Sequence, residues 1–362
     1  MTTAASGVSK GRLIPAAILA ILVYGIIAAM LGTILPKLAE DFHLTMDQSA
    51  TIAFAQAVGL IIASISVGPL IDNKGKKTGL LLGLTLIAAS LVALPNAGSY
   101  GMILASIFAL GLGGGIIVTA ANALVSDISE DKRASTLNLL NLFFGLGGLL
   151  TPFIAANLLG GDTIALCYLA AGLTVVTLIL HATTPMPPPS GERGFKLSEA
   201  GKLLSQPALY LLSMFLFLYV TVGAGTLIST RDTTTRPIKV PAPTVTLGAS
   251  VLMALTTYAM LQTNDPTMAG VIVFLAGVAM APVFPTTLAM VGDAFPRMTA
   301  TAMGIVITFG WFGLAVSSQI IGAIAGSDDT SLKTALLILP AFSVAMIIVN
   351  LVMRPLLRKT SV

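Results

Sequence analysis

The chain has 362 residues, 56% hydrophobic and only 9% charged, with a mean hydropathy of +0.95. Soluble domains carry about 25% charged residues, so a soluble globular protein is excluded and an all-α polytopic membrane protein is expected. The net charge of +4 lies in loops between apolar runs, where basic residues set topology rather than bind nucleic acid. The single cysteine, Cys167, excludes an intramolecular disulfide.

The chain opens on MTTAASGVSKGR and an apolar run, Leu13–Leu35. This imitates a secretory signal, but the run is too long for the usual apolar core of one and many more spans follow. An uncleaved first helix is expected. A helical span needs about 20 apolar residues, which places spans at 13–35, 48–71, 78–94, 101–126, 136–159 and 163–181. Residues 182–206, with Pro185, Pro187, Pro188, Pro189 and Gly191, form a hydrophilic linker with room for a short surface helix. Spans then follow at 208–229, 244–261, 268–291, 299–324 and 332–353. Eleven spans result, six before the linker and five after, giving an N-terminal bundle over 1–181 and a C-terminal bundle over 207–362.

Residues 111–152 are the centre of the pattern: two apolar runs, rich in glycine, flank a charged hinge from Asp127 to Arg133. The runs carry three amides, Asn122, Asn138 and Asn141. Lipid cannot satisfy an amide's hydrogen bonds, so such groups face a bundle interior or a wet cavity. At an offset of 166 the pattern returns, pairing Asp127 with Asp293, Phe143 with Phe309, Gly147 with Gly313 and Gly160 with Gly326. The chain therefore reads as an internal repeat.

Charge tests the count. Lys10, Arg12, Lys74, Lys76, Lys77, Lys132, Arg133, Arg193, Lys196 and Lys202 all fall on the amino-terminal side of an alternating topology, which places the amino terminus in the cytoplasm. Past the linker this fails, unless one more crossing lies between residues 226 and 239. With it, 17 of the 19 Lys and Arg are inside, all but Lys37 and Lys333. Spacing agrees: the first and seventh spans lie 195 apart and pair Tyr24 with Tyr219, against 166 elsewhere, and the difference of 29 is one helix and a turn. Either an eighth helix of a twelve-helix ancestor is lost, or 208–229 dips in without crossing.

Two homologous halves joined by a basic linker resemble the major facilitator superfamily, and Gly68-Pro69-Leu70-Ile71-Asp72-Asn73-Lys74-Gly75-Lys76-Lys77, between the second and third spans, resembles its loop motif, with Asn73 where a basic residue is usual. The resemblance implies two pseudo-symmetric helical bundles of twelve helices in all. In it Gly68 permits close packing, Asp72 faces the positive end of a neighbouring helix, Gly75 closes the turn, and Lys76 and Lys77 hold the loop at the surface. Further, 119–127, 137–152 and 281–296 resemble the fucose/glucose/galactose branch of sugar permeases. That implies sugar-binding amides at Asn138 and Asn141, with Asn122 near the same cavity. Proton-coupled relatives carry acids in their first and fourth helices. Here residues 24–33 and 101–126 hold none, leaving Asp127 and Asp293 as the coupling candidates.

A neutral sugar asks for amides that bond hydroxyls and an aromatic face for the ring. Mid-span groups of that kind are Tyr24, Gln56, Asn122, Asn138, Asn141, Tyr219, Trp311 and Gln319. Thr286 and Thr287 follow Pro282 and Pro285, where a hydroxyl can satisfy freed backbone groups. Phe143 and Phe144 read as packing, and the glycines as scaffold. No phosphate-binding loop, nucleophile with a base, or metal-ligand spacing is present, so no enzyme and no cofactor is expected. The expected protein is a monomeric carrier in a bacterial inner membrane, moving a small neutral, sugar-like solute with H+, Na+ or no ion. Lipophilic drug efflux is the rival within transport. A non-transporting or partner-completed protein is the rival outside it.

Overall fold

A computed structural model describes residues 10–129, 132–187, 204–224, 241–263, 265–325 and 336–360. The helices are α1 (Lys10–Asp41), α2 (Met46–Lys74), α3 (Lys76–Ala93), α4 (Tyr100–Ile128), α5 (Arg133–Asn157) and α6 (Thr163–Thr183). Then come α7 (Pro207–Ala224), α8 (Ala242–Gln262), α9 (Pro266–Met280), α10 (Val283–Ala294), α11 (Thr299–Ala325) and α12 (Ile338–Thr360). Among the described residues nine helices are long and apolar enough to cross a membrane. Two shorter apolar helices, Pro207–Val220 and Thr299–Gly313, fill the remaining predicted positions. The all-α polytopic reading holds, and each of the eleven predicted runs contains a helix among its described residues.

Local chemistry sets the ends. Thr45 and Gln48 form a capping box at the start of α2, and the Ser99 hydroxyl accepts from the Met102 N–H at the start of α4. Gly75, at φ 92°, stops α2, and its N–H donates to the Ile71 carbonyl at 2.8 Å. The Asp162 carboxylate accepts from the Ile164 and Ala165 N–H groups, each at 2.9 Å, and so caps α6. Asp162→Ala should cost about 1 kcal/mol of stability, read as a small fall in the unfolding midpoint in detergent. An unchanged midpoint would mean that the cap adds nothing. The predicted run 268–291 is one span broken in two: α9 ends at Met280 and α10 begins at Val283, because Pro282 has no N–H to continue the ladder. The predicted linker helix and the extra crossing fall at 188–203 and 225–240, outside the described residues.

The chain divides into two compact units. The first comprises residues 1–131, 139–195 and 297–304, and it is built around α4. Helices α1, α2 and α3 pack on α4, and α1 and α3 also pack on α6. From Gly113 to Ser126 every residue of α4 is buried. Gly25 and Gly147 let α1 and α5 touch backbone to backbone, and Gly59 does the same between α2 and α4. The second unit comprises 132–138, 196–296 and 305–362. There α12 packs on α7 and α8, α8 packs on α9 and α10, and α10 packs on α7. Its core is Phe215, Leu218, Ala249, Met253, Ala279, Met280, Val283, Leu339 and Met346.

The two sets of pairings repeat. Those of α1, α3, α4 and α6 recur in α7, α8, α9–α10 and α12. The packing of α2 on α4 has no counterpart among the described helices of the second unit.

Candidate functional site

The first unit carries a charged cluster where α2, α3, α4 and α11 come together. A side chain at Gly68 would place its Cβ 2.5 Å from Thr301 Cα and 2.9 Å from the Ala300 carbonyl oxygen, so the start of α11 lies directly on α2. One turn on, the buried Asp72 carboxylate accepts from the Ala300 N–H at 3.2 Å, the Thr301 N–H at 2.9 Å and the Thr301 hydroxyl at 2.6 Å. Those N–H groups belong to the first turn of a helix and have no partner within it, and the helix dipole favours an anion there. Lys76 is 3% exposed rather than displayed at the surface, and its Nζ lies 2.6 Å from Asp127 Oδ2. Lys77 Nζ donates to the Ala182 and Thr184 carbonyls at 2.7 and 3.1 Å, where the end of α6 leaves carbonyls unbonded.

In the second unit Arg133 and Asp293 form an ion pair. Both carboxylates considered for coupling, Asp127 and Asp293, are therefore held by a cation.

The uncharged candidates divide sharply. Tyr24 is 4% exposed, and its ring centroid lies 5.2 Å from that of Phe144, tilted by 31°, an arrangement favourable for two aromatic rings. Asn141 precedes Phe144 by three residues on α5, so the two share a face; it is half-buried and engaged. Gln56, half-buried, belongs to the α2–α4 crossing, where its backbone carbonyl abuts Gly111. The first unit thus gathers Tyr24, Phe144 and Asn141, with Gln56 on the helix beside them. Phe144 was read as packing from sequence alone. The repeat of its neighbour Phe143 was legible, but the stacking on Tyr24 was not.

Two amides behave differently. Asn122 is 1% exposed, and its Nδ2 donates to the Val118 carbonyl of its own helix at 2.7 Å. Its Oδ1 is buried without a partner among the described residues. Asn138 is exposed. In the second unit Tyr219 packs half-buried against the apolar core. Trp311 is half-buried, and its Nε1–H is buried without a partner among the described residues. Gln319 lies on α11, but its side chain falls outside the described residues. Thr287 Oγ1 donates to the Val283 carbonyl one turn back on its own helix at 2.7 Å; the carbonyls that Pro282 and Pro285 leave without a donor are those of Val278 and Ala281, so this hydroxyl does not serve them. Among the described residues no group of three or more His, Cys, Asp or Glu could hold a metal.

Comparison with known proteins agrees with this architecture. The family model for the Major Facilitator Superfamily matches residues 17–236. The chain is 32% identical over 133 residues to the sodium-dependent glucose transporter 1 of Rattus norvegicus, covering 36% of the chain and 27% of that protein. It is 26% identical over 214 residues to a glucose/galactose transporter of Brucella abortus, covering 54% and 52%. The matches thus span about a quarter to a half of these relatives' lengths. Among solved structures, the fold matches a transporter of the same superfamily, FucP in the outward conformation. The TM-score is 0.79 at 16% identity, over 95% of this chain and 99% of that one.

Proposed function

The chain belongs to the major facilitator superfamily, and on that premise we propose a carrier of a small neutral, sugar-like solute, secondary active or facilitative, working by alternating access. One observation carries the reading: the first unit holds an aromatic pair, Tyr24 and Phe144, with the amide of Asn141 one turn away on α5. Phe144, half-buried, offers a ring face to the apolar side of a sugar with the buried Tyr24 behind it, and the amide can bond the sugar's hydroxyls. The unpartnered indole N–H of Trp311 adds a donor in the second unit. The names of the rat and Brucella relatives, both transporters of glucose-type sugars, support the same substrate class.

Within this proposal the protein is a multi-pass monomer of a bacterial inner membrane, with its amino terminus in the cytoplasm. Residues 1–181 and 207–362 are the two bundles, and 182–206 is the cytoplasmic linker. Because Asp127 and Asp293 are both held by cations, facilitative movement is the favoured mode.

Uptake of radiolabelled hexoses by proteoliposomes tests the proposal. Saturable uptake without an imposed ion gradient is expected, and Asn141→Ala should lower it at least about tenfold, the effect of losing a hydrogen bond worth about 1.4 kcal/mol. Stimulation only by a Na+ or proton gradient would replace facilitation with symport. Absence of any saturable uptake would remove the sugar reading.

A second reading draws on the repeat spacing of 195 against 166 and on the charge parity past the linker: a partner-completed or non-transporting protein. Uptake by a version with an eighth helix inserted after Thr226, but not by the chain itself, would establish it.

A further inference from the structure

The α4 helix meets the aromatic pair through a residue with no side chain. A methyl group at Gly114 would sit 2.9 Å from Cε2 and 3.2 Å from Cδ2 of Tyr24, and 3.4 Å from Leu60 Cδ2. The ring cannot retreat far. Phe144 stands against it, and the helix that carries it is fixed: a Cβ at Gly25 would lie 2.1 Å from the Phe144 carbonyl oxygen. Gly147 holds the same crossing one turn on, where a Cβ would lie 2.5 Å from the Leu22 carbonyl oxygen. Tyr24 is thus set between α4 and α5 by backbone contacts that do not yield, with Gly114 as its seat.

We infer that Gly114 is a positioning residue: it touches no solute, but its bare Cα fixes the depth of the Tyr24 ring against Phe144 and so decides which sugar-sized solutes the first unit accepts. The inference rests on the transport function proposed above. A solute stacked on the half-buried Phe144 meets a ring whose height is set by α4 through the Tyr24 ring behind it. Adding one methyl group at Gly114 moves the Tyr24 ring by several tenths of an ångström or more, because contacts at 2.9 Å are not tolerated between carbon atoms.

Two measurements on the full chain test this, one of them independent of transport. The chain contains six tyrosines. Labelling with 3-fluorotyrosine gives a 19F resonance for Tyr24 that Tyr24→Phe identifies by its loss. Gly114→Ala should shift that resonance while leaving those of Tyr210 and Tyr258, on α7 and α8, in place. In hexose uptake Gly114→Ala should raise KM about tenfold with kcat changed less than about twofold. It should also alter the ratio of uptake between two hexoses differing at one hydroxyl. Tyr24→Leu should itself raise KM, and adding Gly114→Ala to it should change KM no further, since the ring that collides with the methyl group is gone.

Additive effects of the two substitutions, or an unmoved Tyr24 resonance, would overturn the inference. A shifted resonance in a chain that moves no sugar would leave the seat standing and refute the transport reading alone. If Gly114→Ala aggregates, a monodisperse Tyr24→Leu/Gly114→Ala chain still shows that the methyl group and the ring compete for one space. Aggregation of both would overturn it.

Discussion

Replacing Asp72 by alanine is expected to free the start of α11 from α2, and replacing it by asparagine should do nearly as much. The carboxylate is 6% exposed and accepts three hydrogen bonds, one at Oδ1 and two at Oδ2. Alanine leaves the Ala300 and Thr301 N–H groups without an acceptor at a buried helix end. Asparagine can serve only one side, because its NH2 group then faces an N–H donor on the other. Bonds to a charged group are worth about 1.5–3 kcal/mol each before the carboxylate's own desolvation is counted against them. A net loss of about 2 kcal/mol corresponds to about 30-fold in the docking equilibrium. Ala300 is fully buried, so a cysteine there reports the event. In a Cys167→Ser background, labelling of Ala300→Cys by a maleimide should be slow, and Asp72→Ala should speed it about 30-fold. An unchanged rate would mean that the backbone contact at Gly68 holds α11 by itself.

The second large effect concerns the ion pair that joins α3 to α4. Asp127→Leu removes the carboxylate 2.6 Å from an ammonium that is 3% exposed. Removing one partner of a buried pair costs about 3–5 kcal/mol, whereas replacing both by apolar residues is often neutral. Asp127 is 22% exposed, so a loss near the lower end, about 3 kcal/mol, is expected. The midpoint of thermal unfolding in detergent should fall clearly in Asp127→Leu and return most of the way in Lys76→Met/Asp127→Leu. A double variant no better than the single one would show that the pair contributes specific attraction rather than mutual neutralisation.

These effects come from residues whose importance was only partly legible beforehand. Asp72 and Lys76 stand in a loop motif readable from its order of glycine, acid and basic residues. That motif led to the expectation that Lys76 stays at the surface, whereas it lies buried against Asp127. The break in the span at 268–291 was legible because a proline lacks an N–H wherever it stands, and the chain is interrupted between Met280 and Val283. The amides were legible as a class but not one by one. Asn138 is exposed, Asn141 shares a face with Phe144, and Asn122 turns back to bond its own helix.

The sequence by itself determined the helices and the repeat, since the length of an apolar run and the positions of proline and glycine act locally along the chain. Charge and repeat spacing pointed to a helix missing from the second half, at a place that lies outside the described residues. Which face of each helix meets which neighbour was decided by the tertiary structure alone. In water, polarity separates the outer face of a helix from the inner one. In a membrane both are apolar, because lipid tails are as apolar as leucine. Packing is then fixed by where small residues let backbones approach, as at Gly25, Gly68 and Gly114. Only the folded chain shows which glycine meets a backbone and which one seats an aromatic ring.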